Sequence, residues 1–228
     1  ISCIYSLSIE PMKHMQIQIH VQPLAQFILE KKQQFSTFAE FNQYKKKTIY
    51  AQRNTFISNF LNRTICNHDI QPPEFGKPYL SNTPQFSFNH SHSQHHYALA
   101  MSNNVVDLGV DIEDLDRQVR FDALAKHAFH PSEYEAWQAL GCDPAYWFKV
   151  WTTKEAVLKS SGLGIRMDLK DLNTHAHPLQ NEGWCEHEKV GLFAYQNFNL
   201  QGCMLTIAWR TENAAQDSAL PNIEIVQH

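Results

Sequence analysis

The 228-residue chain has little cysteine and little net charge. Its five cysteines, Cys3, Cys66, Cys142, Cys185 and Cys203, are odd in number and widely spaced, and no Cys-x-x-Cys occurs. That excludes a disulfide scaffold and a zinc ribbon, and it fits a reduced, cytoplasmic protein. The net charge is −4 with histidine neutral. Without a global basic field, nucleic acid is not an expected partner, and any anionic ligand must be held by a local patch. No apolar run reaches the ~18 residues of a membrane span, so no membrane partner is expected. Residues 1–9 are partly apolar but lack a basic n-region and a long h-region, so no signal peptide is expected. No strong internal repeat is visible. What is left, 43% hydrophobic and 18% charged, is globular and large enough for one large domain or two small ones.

Periodicity sketches the elements. Met15, Ile17, Ile19 and Val21 alternate with polar residues, which predicts a half-buried strand, with residues 1–9 as a candidate partner. A helical region is expected over 24–44. After Lys45-Lys46-Lys47, residues 48–64 read as a second helix, with Ile49, Phe56, Ile57, Phe60 and Leu61 in one stripe. Arg53 falls on that stripe, where an arginine either snorkels or reaches an anion. Gly76-Lys77-Pro78 reads as a turn. Short strands are expected at 86–88 and 97–101, separated by a polar turn, Asn89-His90-Ser91-His92-Ser93. The second half reads as helices at 121–129, 131–140 and 144–161. Pro131 opens the second of these, and Gly162 closes the third. Strands follow at 191–197, 203–209 and 222–226, with a loop over 211–221. Each half, 1–105 and 106–228, reads as strands plus helices of similar length.

Three clusters carry chemistry. Asp111 and Glu113 stand two apart on an apolar strand, so their carboxylates share a face. Their repulsion is relieved most readily by a hard divalent cation with oxygen ligands. Trp151, Glu155 and Lys159 are spaced i, i+4, i+8, on one face of the long helix. The histidine cluster, His90, His92, His95 and His96, could ligate zinc, but no cysteine or acid lies near it in sequence. A phosphate-binding turn of Asn, Ser and His donors is the preferred reading. Taken singly, each cluster also has a bland explanation as a solvated acid pair, a helical Glu–Lys pair or a hydrogen-bonded turn. Their joint placement makes three bland explanations at once hard to hold.

The motifs come in order: Gly76-Lys77-Pro78, Phe88-Asn89-His90-Ser91-His92-Ser93, Gly109-Val110-Asp111-Ile112-Glu113, Trp151 through Lys159, and Gly162-Leu163-Gly164. This succession, over residues 76–164, resembles the 4′-phosphopantetheinyl transferases of the Sfp type. The resemblance implies an α+β fold of two similar halves about a pseudo-two-fold axis, with coenzyme A in the cleft between them. It implies a metal triad of Asp111, Glu113 and Glu155, holding Mg²⁺ or alternatively Mn²⁺. Ser91 and His92 match positions that hold the 3′-phosphate and diphosphate of coenzyme A. Arg53 and Lys77 match residues near the nucleotide, and Lys159 matches the lysine that meets the diphosphate. Two positions depart from the pattern. His90 stands where a small or aliphatic residue is commoner, and Asn54 where Ser or Thr is.

The implied reaction moves 4′-phosphopantetheine from coenzyme A to a serine of an apo acyl or peptidyl carrier protein, releasing adenosine 3′,5′-bisphosphate. Positioning and charge neutralisation dominate such phosphoryl transfers. Lys159 and His92 would balance the leaving bisphosphate. Glu155 is the first candidate to take the serine proton, directly or through a bound water, and a non-ligating acid is the second. One chain supplies both sides of the cleft, so a monomer suffices. A metal-dependent phosphodiesterase and a non-catalytic module binding coenzyme A or a carrier are the competing readings.

Overall fold

Alternation along the strands builds the molecule, and it is visible in the computed structural model, which describes residues 15–72, 77–163, 167–212 and 220–228. Strand β1 (Gln16–Pro23) turns Ile17, Ile19 and Val21 inward. It pairs antiparallel with β5 (His96–Ser102) and parallel with β10 (Asn222–Gln227). Strand β4 (Ser87–His92) closes this sheet in the order β10-β1-β5-β4. The second sheet runs β6-β9-β8-β7, all antiparallel, from β6 (Gly109–Asp114), β7 (Glu182–His187), β8 (Gly191–Leu200) and β9 (Cys203–Arg210). A two-stranded ribbon joins β2 (Ile70–Gln71) to β3 (Tyr79–Leu80). The expected partner of β1, residues 1–9, lies outside the described residues, as do Gly76 of the expected turn and Gly164 of the last motif.

The two large sheets face each other across one apolar layer. Ile17, Ile19, Ala98 and Ala100 of the first meet Val110, Ile112, Leu205 and Ile207 of the second. Each sheet buries its other face under a helix. Helix α1 (Phe38–Leu61) covers the first with Ile49, Phe56 and Ile57. Helix α4 (Pro144–Ser161) covers the second with Ala156, Val157 and Leu158. Shorter helices α2 (Phe121–Ala128) and α3 (Pro131–Ala139) pack beside α4. The fold is therefore α+β, as expected. The helices at 121–129, 131–140 and 144–161 and the strands at 97–101, 191–197, 203–209 and 222–226 form within a few residues of their expected bounds.

Three expectations need correcting. Residues 24–37 are not helical. They hold two 3-10 turns, at Leu24–Gln26 and Lys32–Gln34, because little beyond Leu24 is buried and no apolar face needs covering. The two expected helices are then one, 24 residues long, capped by Thr37, whose hydroxyl accepts the Glu40 amide. Lys45-Lys46-Lys47 rides through its middle, since lysine is a good helix former. Third, Asn89 to His92 are not a turn but lie on β4, with the reversal falling at 93–95.

Candidate active site

Strand β4 is the edge of one sheet, and β6 is the edge of the other. No backbone ladder joins them, so side chains do. Ser87 Oγ accepts the Leu108 amide, and Asn89 Oδ1 accepts the Val110 amide at 3.0 Å. Ser91 Oγ donates to Asp111 Oδ1 at 2.8 Å. Residues 87, 89 and 91 thus face β6, while alternation sends Phe88, His90 and His92 to the α1 side. A polar strand here, two of its side chains accepting and one donating, is what links the sheets.

On β6, Val110 and Ile112 fill the layer between sheets, so Asp111 and Glu113 face α4. The helix comes unusually close. A Cβ on Gly109 would lie 2.2 Å from the Ala156 carbonyl oxygen and 2.5 Å from the Ser160 nitrogen. Glycine at 109 is what lets α4 bring Glu155 and Lys159 to the acid pair. Lys159 Nζ donates to Asp111 Oδ1 at 2.6 Å and to Ser91 Oγ at 2.8 Å. Ser91, Asp111 and Lys159 are therefore one hydrogen-bonded group.

The electrostatics are those of crowded acids. Burial, and then Asp111 and Glu113, raise the Glu155 carboxyl above its ordinary range, against the pull of Lys159. Burial, and then Asp111, raise Glu113, against hydrogen bonds from Arg117 and Trp151. Asp111 is only 4% exposed, and its Oδ2 is buried with no partner among the described residues. An unpaired buried carboxylate oxygen is costly. An orphan oxygen beside two glutamates whose carboxyls are raised by burial and by neighbouring acids fits a divalent cation held by oxygen ligands.

The other expected residues divide. His92 stays within electrostatic reach of Lys159 and Asp111, and partial burial together with Lys45 lowers its pKa. Arg53 is 4% exposed, stacked 4.4 Å over the Tyr50 ring and bonded to Asn54 and Asn67. It faces His90, whose pKa falls to about 3 through burial and then the charges of Arg53, Lys159 and His92. Lys77 lies apart from the acid group, paired with Asp107 at 2.7 Å, and Asp107 also holds Arg210 at 2.5 Å.

Two neighbours were not singled out from sequence, and a third, Trp151, was placed on the Glu155–Lys159 face without a hydrogen-bond partner. Lys45 sits beside His92 and shares the 45, 49, 53, 57 stripe with Arg53, a spacing that could have revealed it. Trp151, expected only to pack, donates Nε1 to Glu113 Oε1 at 3.2 Å while stacking on Trp147. Arg117 holds the same Glu113 oxygen at 2.6 Å, and its i+4 distance from Glu113 was the available signal.

The model of the 4′-phosphopantetheinyl transferase superfamily matches residues 107–200, the stretch that contains Asp111, Glu113, Glu155 and Lys159. The chain is 30% identical over 166 residues to a putative 4′-phosphopantetheinyl transferase of Synechocystis sp., covering 67% of each chain. It is 35% identical over 112 residues to a 4′-phosphopantetheinyl transferase of Bacillus subtilis, covering 48% of this chain and 47% of that one. It is 40% identical over 95 residues to 4′-phosphopantetheinyl transferase HetI of Nostoc sp., covering 40% of each. The matched stretch thus spans about half or less of the length of the latter two relatives.

Proposed function

The chain belongs to the 4′-phosphopantetheinyl transferase superfamily, and from that premise we propose that it transfers 4′-phosphopantetheine from coenzyme A to a serine of a carrier protein. The observation that carries the reading is the Ser91–Asp111–Lys159 group with Glu113 and Glu155 crowded beside it. The two halves, 1–105 and 106–228, are read as relatives about a pseudo-two-fold axis with coenzyme A between them. Strand β10 crosses back to complete the first sheet.

In this reading Asp111, Glu113 and Glu155 hold Mg²⁺, or Mn²⁺, which suits the same ligands. Such a cation, when bound, neutralises diphosphate charge and polarises the attacked phosphorus. The chain's own groups do the rest. The carrier serine oxygen bonds to the phosphorus that carries pantetheine. As it does so, the bond from that phosphorus to the bridging oxygen breaks, and the bridging oxygen leaves with adenosine 3′,5′-bisphosphate. Lys159 shifts from Asp111 to the leaving oxygens, where its charge counts for more. Ser91 and His92 orient the phosphates, with Arg53, Lys77 and Lys45 lending positive potential. The serine proton goes to Glu155, directly or through a bound water. No helix of the described residues is long and apolar enough to cross a membrane, and we place the protein in the cytoplasm as a monomer.

Intact-mass analysis of an apo carrier incubated with coenzyme A and Mg²⁺ tests this. We expect the mass gain of one phosphopantetheine, lost on chelation, and lowered at least about a hundredfold by Glu155→Gln with the circular dichroism unchanged. Hydrolysis of a nucleic acid or diester without carrier modification would favour the phosphodiesterase. Undiminished biological activity of Glu155→Gln would leave only a binding module.

A further inference from the structure

Of the four clustered histidines, the transfer reaction uses His92, and His90 faces α1. His95 and His96 have no part in it. Along the sequence no acid is near them, but the fold brings two. Asp114 ends β6, and alternation points it away from Asp111 and Glu113, toward the loop between β4 and β5. It is 1% exposed, and Asp116 follows at the surface. One ligand atom each from His95, Asp114 and Asp116 lie within 4.8 Å of one another. A separate observation falls on the same spot. An open cavity of about 470 Å³ is lined by these three residues with His96, Leu115 and Gly202.

We propose that His95, Asp114 and Asp116 form a site for a divalent transition cation of the Zn²⁺ class, on the opposite face of β6 from the acid triad. One imidazole with two carboxylates suits Zn²⁺, whereas Mg²⁺ prefers all-oxygen shells. Tetrahedral ligands at about 2.1 Å stand about 3.4 Å apart, so small rotations of the two exposed side chains close the set. Asp114 is already held for the task. Its Oδ2 accepts the His95 amide at 2.8 Å, and its Oδ1 meets His96 Nδ1 at 2.5 Å. A carboxylate oriented by a neighbouring imidazole is a common second partner of a metal site. Among the described residues no lysine or arginine pairs with Asp114 or Asp116, and the partner of Asp114 is the His96 imidazole. Bound here, the ion would staple the β4–β5 loop to the end of β6, the two strands that carry Ser91 and Asp111.

The test uses the full chain in micromolar Zn²⁺ with millimolar Mg²⁺, followed by gel filtration and elemental analysis. The wild type should retain one Zn²⁺ per chain, as should Glu155→Gln. His95→Ala and Asp116→Asn should each weaken binding at least about tenfold, and the double variant should lose it. Both side chains are exposed, so the variants should fold, and circular dichroism checks this. Zn²⁺ should raise the melting midpoint of the wild type and not of the double variant. Equal Zn²⁺ content in wild type and double variant, including none in either, overturns the assignment. So does Zn²⁺ lost in Glu155→Gln but kept in the double variant.

Discussion

Helix α4 carries three lysines five residues apart, and their surroundings could hardly differ more. Five residues turn the helix by about 140° beyond a full circle, so Lys149, Lys154 and Lys159 leave on three sides. Lys154 is fully buried. It pairs with Glu133 at 2.8 Å and donates to the carbonyls of Leu169 and Leu172. Glu133 in turn accepts from the backbone and hydroxyl of Thr174 and from the His130 amide. Every polar atom of that pair is satisfied from within the protein. Lys149, 6% exposed, meets no carboxylate among the described residues. Its ammonium caps the 177–181 loop through three carbonyls and Asn181 Oδ1, at 3.0–3.2 Å. Lys159 keeps its side chain 29% exposed, and beside it Asp111 Oδ2 is left unpaired. The first two sites are closed and structural. The third is under-satisfied in the way a ligand site is before its ligand arrives.

Four measurements would break or sharpen that contrast. Lys154→Met should cost most, about 3–5 kcal/mol by urea unfolding, because it strands a buried Glu133. A loss under about 1 kcal/mol would mean the pair is not closed. Lys159→Ala should leave stability within about 1 kcal/mol of wild type, since the pair is part-exposed. Yet it should slow carrier modification roughly a hundredfold. If stability falls and transfer does not, the roles of the two lysines have been assigned the wrong way round. Lys149→Met should cost about 1–3 kcal/mol by freeing several buried carbonyls, and it should open the 177–181 loop to hydrogen exchange.

The smallest effect concerns pH. Burial and Asp111 raise the folded Glu155 carboxyl above its ordinary 4.5. A group raised in this way stabilises the fold while protonated, and that contribution disappears as pH rises from about 4.5 through the raised value. In chelator, the wild type should therefore lose stability relative to Glu155→Gln as pH rises above about 4.5. The difference should stay within about 1 kcal/mol, because solvent screens a part-exposed acid. Parallel curves for the two proteins would show that the acids are not crowded.

The chain's local chemistry was legible where one element decided it. Asp111 and Glu113 share a face because strands alternate, and Glu155 and Lys159 share one because helices repeat. The apolar stripe of α1 placed Arg53 in the interior. What misled was composition without burial. Residues 24–37 contain helix formers but cover no face, and Asn89 to His92 read as a turn because polar strands are rare. They are a strand because β4 must reach β6 with side chains. The Trp151 bond to Glu113 was hidden for the same reason. A tryptophan on an apolar face reads as packing, and only the neighbouring strand gives its indole an acceptor.

Sequence alone determined the periods, the acid pairs and the order of the motifs, because each rests on residues within a few positions of one another. Tertiary structure alone decided which acids meet which cations. Gly109 sets how near α4 lies to β6, and the facing of β4 and β6 brings Ser91 to Asp111 and His95 to Asp114. Those distances depend on how two sheets and two helices pack, and spacing along a chain does not encode them.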